Sequence, residues 1–154
     1  MRDQNSVHGV FAILRGSAKY PDLHGKVTFS EVYGGTMVFA CVEGLPDNGK
    51  GNFYGFHIHE GGNCTGDSTD PFKNAGGHYN PENTEHPFHA GDMPVLMGNK
   101  GVACCQFYTD RFYPEDVIGK TVIIHDMPDD FRSQPSGDAG EKIACGVIRM
   151  GQEK

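Results

Sequence analysis

The stretch Gly55-Phe56-His57-Ile58-His59-Glu60 sets two imidazoles two residues apart inside a run that otherwise reads as a strand. Residues i and i+2 of a β-strand project from the same face, so His57 and His59 stand side by side while Ile58 points the other way. On this reading the strand carries a two-nitrogen grip on one of its faces.

Working outward, short alternating segments recur between turn residues: Val10 to Leu14, Lys26 to Val32, Thr36 to Glu43, Phe53 to His59, Met93 to Met97, Val102 to Tyr108, Thr121 to His125 and Ile143 to Arg149. That spacing predicts an all-β sandwich or barrel. The 22 glycines and 9 prolines, set against 37 % hydrophobic residues, agree with many turns and long ordered loops and argue against a helical bundle. At 154 residues the chain reads as one domain, 1–154, able to bury a core without staples.

The formal charge of −7 excludes a nucleic-acid or anionic-membrane partner on electrostatic grounds, because those surfaces reward clustered Lys and Arg. No run of about 18 apolar residues offers a transmembrane helix. The N-terminus MRDQNSVHG lacks a basic segment followed by an apolar one, so the sequence as it stands reads as cytoplasmic; a periplasmic or secreted form whose leader had been removed would read the same. Five cysteines are too sparse for a disulfide scaffold, and one bridge at most is expected.

Two segments break the run of strands. Residues 60–92 are dense in Gly, Asn, Asp, Pro and His, and residues 126–142 read DMPDDFRSQPSGDAGEK. Loops of this length in a compact domain are usually functional, and the first holds three of the eight histidines. His78 lies in AGGHYNP, and His86, His89 and Asp92 follow in HPFHAGD at spacings of three. Three imidazoles and a carboxylate suit tetrahedral zinc. His57, His59 and His125, the last at the end of the apolar run TVIIH, supply three further nitrogens. A fourth is available if His78 bridges through both ring nitrogens, and an all-nitrogen, near-tetragonal set favours copper. One-electron chemistry follows from that combination.

The motifs GFHIHE, AGGHYNP, HPFHAGD, TVIIH, the pair Asp129-Asp130 and GEKIACGVI, in this order from about Val10 to Arg149, resemble the copper/zinc superoxide dismutase family and its bacterial-type branch. The resemblance implies a Greek-key β-sandwich or barrel of about eight antiparallel strands with two long functional loops. It implies copper held by His57, His59, His78 and His125, zinc held by His78, His86, His89 and Asp92, and Asp129 as the carboxylate linking His57 to His86. It pairs Cys64 with Cys145 in a disulfide, and leaves Cys41, Cys104 and Cys105 as free thiols. Superoxide is the implied substrate, and His78 and Lys142 are the implied catalytic groups; family members are dimers by different surfaces or monomers, so a homodimer is one of the assemblies the resemblance allows.

Lys142 stands where the family has an arginine beside the copper. Lysine keeps the charge but loses the planar fork, so weaker anion capture is expected. Ser136 replaces a channel-lining threonine, and Asp138 brings an extra negative charge. Two other readings share part of the donor set: a copper-buffering module without turnover, and a zinc hydrolase, for which no open zinc position or general base is evident.

Overall fold

A computed structural model describes residues 8–152. Among them nine strands follow in chain order: β1 (His8–Gly16), β2 (His24–Val32), β3 (Gly35–Glu43), β4 (Phe53–Tyr54), β5 (Phe56–His59), β6 (Leu96–Met97), β7 (Ala103–Thr109), β8 (Thr121–His125) and β9 (Lys142–Gln152). Seven form one curled antiparallel sheet in the order β5-β8-β9-β1-β2-β3-β7, and β4 pairs with β6. The chain leaves β3 near one edge to build β5 at the other, and returns from the β7 edge to place β8 beside β5. These are the Greek-key crossings expected of the family fold. Among the described residues no helix is long and apolar enough to cross a membrane.

Alternation explains the layering. Val10, Ala12 and Leu14 of β1, Val27 and Phe29 of β2, and Val38, Ala40 and Val42 of β3 all point into a common core with Val122, Ile124 and Ile148. Burying each such side chain contributes about 1.5–3 kcal/mol. The same two-residue period decides where the histidines go. Phe56 and Ile58 enter the core from β5, and Val122 and Ile124 from β8. His57, His59 and His125 therefore project from the opposite, outer face of the barrel.

That outer face is nonetheless buried, because the two long loops lie over it. Loop 60–92 is fixed by a second apolar cluster in which Phe72 and Ala75 pack with Ile123 and Cys145. The Cys64–Cys145 disulfide staples it to β9, as the resemblance implies.

Three expectations change. The segment Phe53 to His59 is not one strand but two, because Tyr54 pairs with Leu96 in one sheet whereas Phe56 pairs with Ile124 in the other. Gly55 sits at the crossing, where a β-carbon would lie 2.7 Å from that of Ala139, so a side chain there has no room. The expected strand from Met93 contracts to Leu96–Met97.

The expectation of a single bridge, with Cys41 and Cys104 as free thiols, is also corrected. Pairing of β3 with β7 sets these two residues directly opposite each other, and they form a second disulfide. Nothing local in the sequence reveals which strands are neighbours. Cys105 alone remains a thiol, and its partial burial raises its pKa.

Candidate metal centre

Three chain segments build the centre around Ile58 of β5. The Ile58 amide donates to the Gly91 carbonyl at 2.9 Å, and the Ile58 carbonyl accepts from the Tyr79 amide at 2.8 Å. Two pieces of loop 60–92 thus cap the free edge of β5, bringing His78 opposite His59 and Asp92 opposite His57. β8, on the other edge, adds His125. All seven residues singled out in the sequence converge here.

Their ring nitrogens divide into two nests. Ligand atoms of His57, His59, His78 and His125 lie within 4.8 Å of one another, as do those of His57, His78, His86 and Asp92. His89 joins the second nest, its Nδ1 being 3.2 Å from both His78 Nδ1 and Asp92 Oδ2. His57 lies in both groups, yet its Nε2 is committed to Asp129, so it has one nitrogen left to offer a single ion. His78 alone has a ring nitrogen turned to each side.

The outward-facing nitrogens fix the tautomers. His57 Nε2 donates to Asp129 Oδ2 at 2.7 Å, and His86 Nε2 to Asp129 Oδ1 at 2.8 Å. His59 Nδ1 donates to the Gly76 carbonyl at 2.7 Å, and His125 Nδ1 to that of Gly140 at 3.2 Å. A neutral imidazole donating through one nitrogen presents a lone pair at the other. His57, His59, His86 and His125 thus each turn an unprotonated nitrogen inward.

Three of these inward nitrogens, His57 Nδ1, His78 Nε2 and His86 Nδ1, are buried without a hydrogen-bond partner; His86 Nδ1 lies 3.0 Å from Asp92 Oδ2 but lacks the alignment to bond it. Leaving one buried polar group unsatisfied costs about 1–3 kcal/mol. A cation in each nest would satisfy them. The donor chemistry separates the two: four nitrogens in one nest, and three nitrogens with a carboxylate oxygen in the other.

Burial lowers the pKa of His57, and His59 falls well below the ordinary histidine value through burial and then the charges of His125 and His78. Burial, reinforced by His57, depresses His125 to about 3. These rings stay unprotonated at neutral pH. For Asp129 burial pushes the carboxyl upward, but hydrogen bonds from His57 and His86 outweigh it and bring the group down to about 2. Asp92 is lowered too, the hydrogen bond from His78 overcoming its burial. Both carboxylates are therefore ionised.

Several contributors escaped the sequence reading. Gln134 grips the backbone of His86 at both ends, its Oε1 accepting from the His86 amide at 2.9 Å and its Nε2 donating to the His86 carbonyl at 2.6 Å. Arg111 Nη1 donates to the carbonyls of Pro87 at 2.7 Å and His89 at 3.0 Å. Gly137 adopts φ 77°, and any β-carbon there would collide with Asp129 Oδ1 at 1.9 Å. No spacing rule connects these residues to the histidines. Asp130, by contrast, caps its own exposed turn by accepting from the amides of Arg132 and Ser133.

A cleft of about 1110 Å³ reaches His59, His78 and His125 from solvent, with Ser136 and Lys142 on its wall. Lys142 does not project alone into it. Its Nζ donates to Asp70 Oδ2 at 2.7 Å.

A curled β-barrel whose outer face holds two unlike donor sets about one shared ring belongs to the class of dinuclear metalloproteins. Comparison with known proteins narrows the class. Residues 23–148 match the family model for copper/zinc superoxide dismutase. The chain is 37 % identical over 140 residues to superoxide dismutase [Cu-Zn] 2 of Aquifex aeolicus, covering 81 % of this chain and 78 % of that protein. It is 35 % identical over 143 residues to the superoxide dismutase [Cu-Zn] of Deinococcus radiodurans, covering 81 % and 76 %. Its fold is similar to the Cu/Zn superoxide dismutase from Brucella abortus, with a TM-score of 0.77 and 28 % identity over 90 % of this chain and 98 % of the other. The chain belongs to the copper/zinc superoxide dismutase family.

Proposed function

We propose that this chain is a superoxide dismutase of one domain, with copper held by His57, His59, His78 and His125 and zinc by His78, His86, His89 and Asp92. The reading is carried by one observation: three buried imidazole nitrogens with no partner, aimed into two nests that share His78. The chemistry supplied by copper when bound is one-electron exchange, taking one superoxide to dioxygen and a second to hydrogen peroxide, while zinc has no second oxidation state to contribute.

The chain's own residues prepare that exchange. Asp129 and the carbonyls of Gly76 and Gly140 hold the rings in the tautomer that leaves a lone pair facing inward. Burial keeps His59 and His125 free of protons that would compete for those lone pairs. His78 Nε2 is the atom at which a proton can be kept inside the site, ready for the peroxide product. The zinc-side contacts at His78 Nδ1 keep that ring in place while its other nitrogen changes state.

Loading the protein with copper and zinc and following superoxide consumption tests the reading directly. Catalysis far above that of the same copper in buffer is expected. A rate equal to free copper would leave a copper-buffering module in its place.

Because Asp129 spans the two nests, Asp129→Ala should weaken both metals, each by about 10–100-fold. Chelator competition measured separately for copper and zinc checks this, and a loss confined to one ion would contradict the shared role. Two disulfides favour an oxidising, extracytoplasmic compartment over a reducing cytosol, and fractionation of the source cells decides between them.

A further inference from the structure

We propose that Asp70 is a specificity-determining residue of the cleft, a fixed carboxylate that clamps Lys142 and thereby weakens the capture of small anions at the histidine nest. The inference rests on the reading of that nest as the copper site. It concerns a residue whose hydrogen bonds and ion pair go to Lys142, Phe72, Lys73 and Asp67 and to none of the seven proposed ligands.

The pair is not a casual surface contact. Lys142 Nζ and Asp70 Oδ2 are 2.7 Å apart, and the side chains are only 17 % and 37 % exposed. Asp70 is held from its other side as well, Oδ1 accepting the Phe72 amide at 3.1 Å. Phe72 is buried in the cluster that contains the Cys64–Cys145 bridge, and Cys145 lies three residues beyond Lys142 on β9. The Asp70 amide in turn donates to Asp67 Oδ1 at 2.9 Å, closing the turn. Both partners are therefore anchored to the same staple. Two floppy side chains would lose most of the value of such a contact to entropy, whereas these are ordered beforehand.

The remaining charges on the cleft wall do not replace the one Asp70 neutralises. Apart from the histidines, the charged lining consists of Lys19, Asp67, Asp70, Glu141 and Lys142. Lys19 is itself 3.9 Å from Glu141, both largely exposed, and Asp67 is 3.6 Å from Lys73. Lys142 is next to His125 through the β8–β9 register, so it is the cation best placed to attract an anion toward the nest. An approaching anion meets that ammonium with a carboxylate already on it. Repulsion from Asp70 grows with the charge of the visitor, so it bears harder on phosphate than on a monovalent anion.

The test uses the copper- and zinc-loaded protein at low ionic strength, with azide as the monovalent probe, read by its perturbation of the visible copper band, and inorganic phosphate as the multivalent one. Asp70→Asn keeps an oxygen for the Phe72 amide, so metal content should match the parent and the melting temperature should fall by no more than about 4 °C, the loss of one ion pair. Azide should bind about three- to tenfold more tightly to this variant, phosphate should become a competitor of azide, and both effects should fade as salt rises. In a Lys142→Met background the same Asp70→Asn change should tighten azide by less than about twofold, since the clamped cation is gone.

An azide affinity unchanged by Asp70→Asn overturns the proposal. So does an equal gain in the Lys142→Met background, which would show Asp70 acting by its own charge and not through the lysine. Azide that leaves the copper band unmoved in every variant, parent included, would instead sink the reading of the nest as an open copper site, and the clamp with it.

Discussion

His78→Ala should abolish the enzyme, leaving less than about 1 % of the parent's superoxide turnover and weakening copper and zinc together. Removing a carboxylate that merely orients ligands costs about 10–100-fold in affinity or activity, and loss of the ring proposed to serve both ions should exceed the upper end of that range. The geometry explains why the two losses are coupled. His78 Nδ1 lies 2.8 Å from Asp92 Oδ1 on one side, while Nε2 faces the other nest without a partner. Its ring centroid is 4.0 Å from that of His57 and 5.3 Å from that of His89, so it is the partition between the nests as well as a donor to each.

The comparison that isolates this role is His57→Ala. His57 has a single inward nitrogen, its Nε2 being engaged by Asp129, so its removal should empty the copper nest and spare most of the zinc. Metal content after dialysis, measured for both variants, distinguishes the two outcomes. Unchanged zinc in His78→Ala would mean that the ring serves one ion only.

The second large effect is on stability. Replacing both Cys64 and Cys145 with serine should lower the stability of the metal-free protein by about 4 kcal/mol on chain-entropy grounds, because the bridge closes a loop between residues 81 apart. For a domain of this size that corresponds to a fall in melting temperature of about 8–16 °C. The consequence reaches the site, since the staple holds the loop that carries Asp70, His78, His86, His89 and Asp92 against β9. Copper affinity should therefore fall along with stability, even though neither sulfur touches a histidine. Thermal melts of the metal-free proteins, followed by copper titration, check both parts. A double variant that melts with the parent would show that the Phe72, Ala75 and Ile123 contacts suffice to hold the loop.

Much of this was legible in the chain because the controlling physics is local. The period of two in GFHIHE and in TVIIH puts His57, His59 and His125 on the face away from Ile58, Val122 and Ile124, whatever the rest of the fold does. The spacing of His86, His89 and Asp92 allows one short segment to supply three donors, and the resemblance ordered the motifs. Local pattern could also mislead. Phe53 to His59 alternates as a single strand, but its two halves pair in different sheets across Gly55.

Other features depended on which distant segments meet. Cys41 and Cys104 are 63 residues apart and become partners only because β3 and β7 pair in one particular register. Gln134 reaches His86, and Arg111 reaches His89, because loops of unrelated sequence converge over the outer face of the barrel. The charge at position 142 was evident at once. Its neutralisation was not, since Asp70 lies 72 residues away and arrives through a loop whose path is set by a disulfide and a buried phenylalanine.

By itself, then, the sequence determined most of the strand pattern, the outward face of the histidines and the chemical kinds of donor available, since each follows from side-chain type and backbone period over a few residues. Only the tertiary structure decided which nitrogen of each ring faces inward, that Cys41 pairs with Cys104, and how much positive charge is free at the mouth. Those properties belong to contacts between segments far apart in the chain, and a hydrogen bond or an ion pair exists only once folding has brought its two ends within about 3 Å.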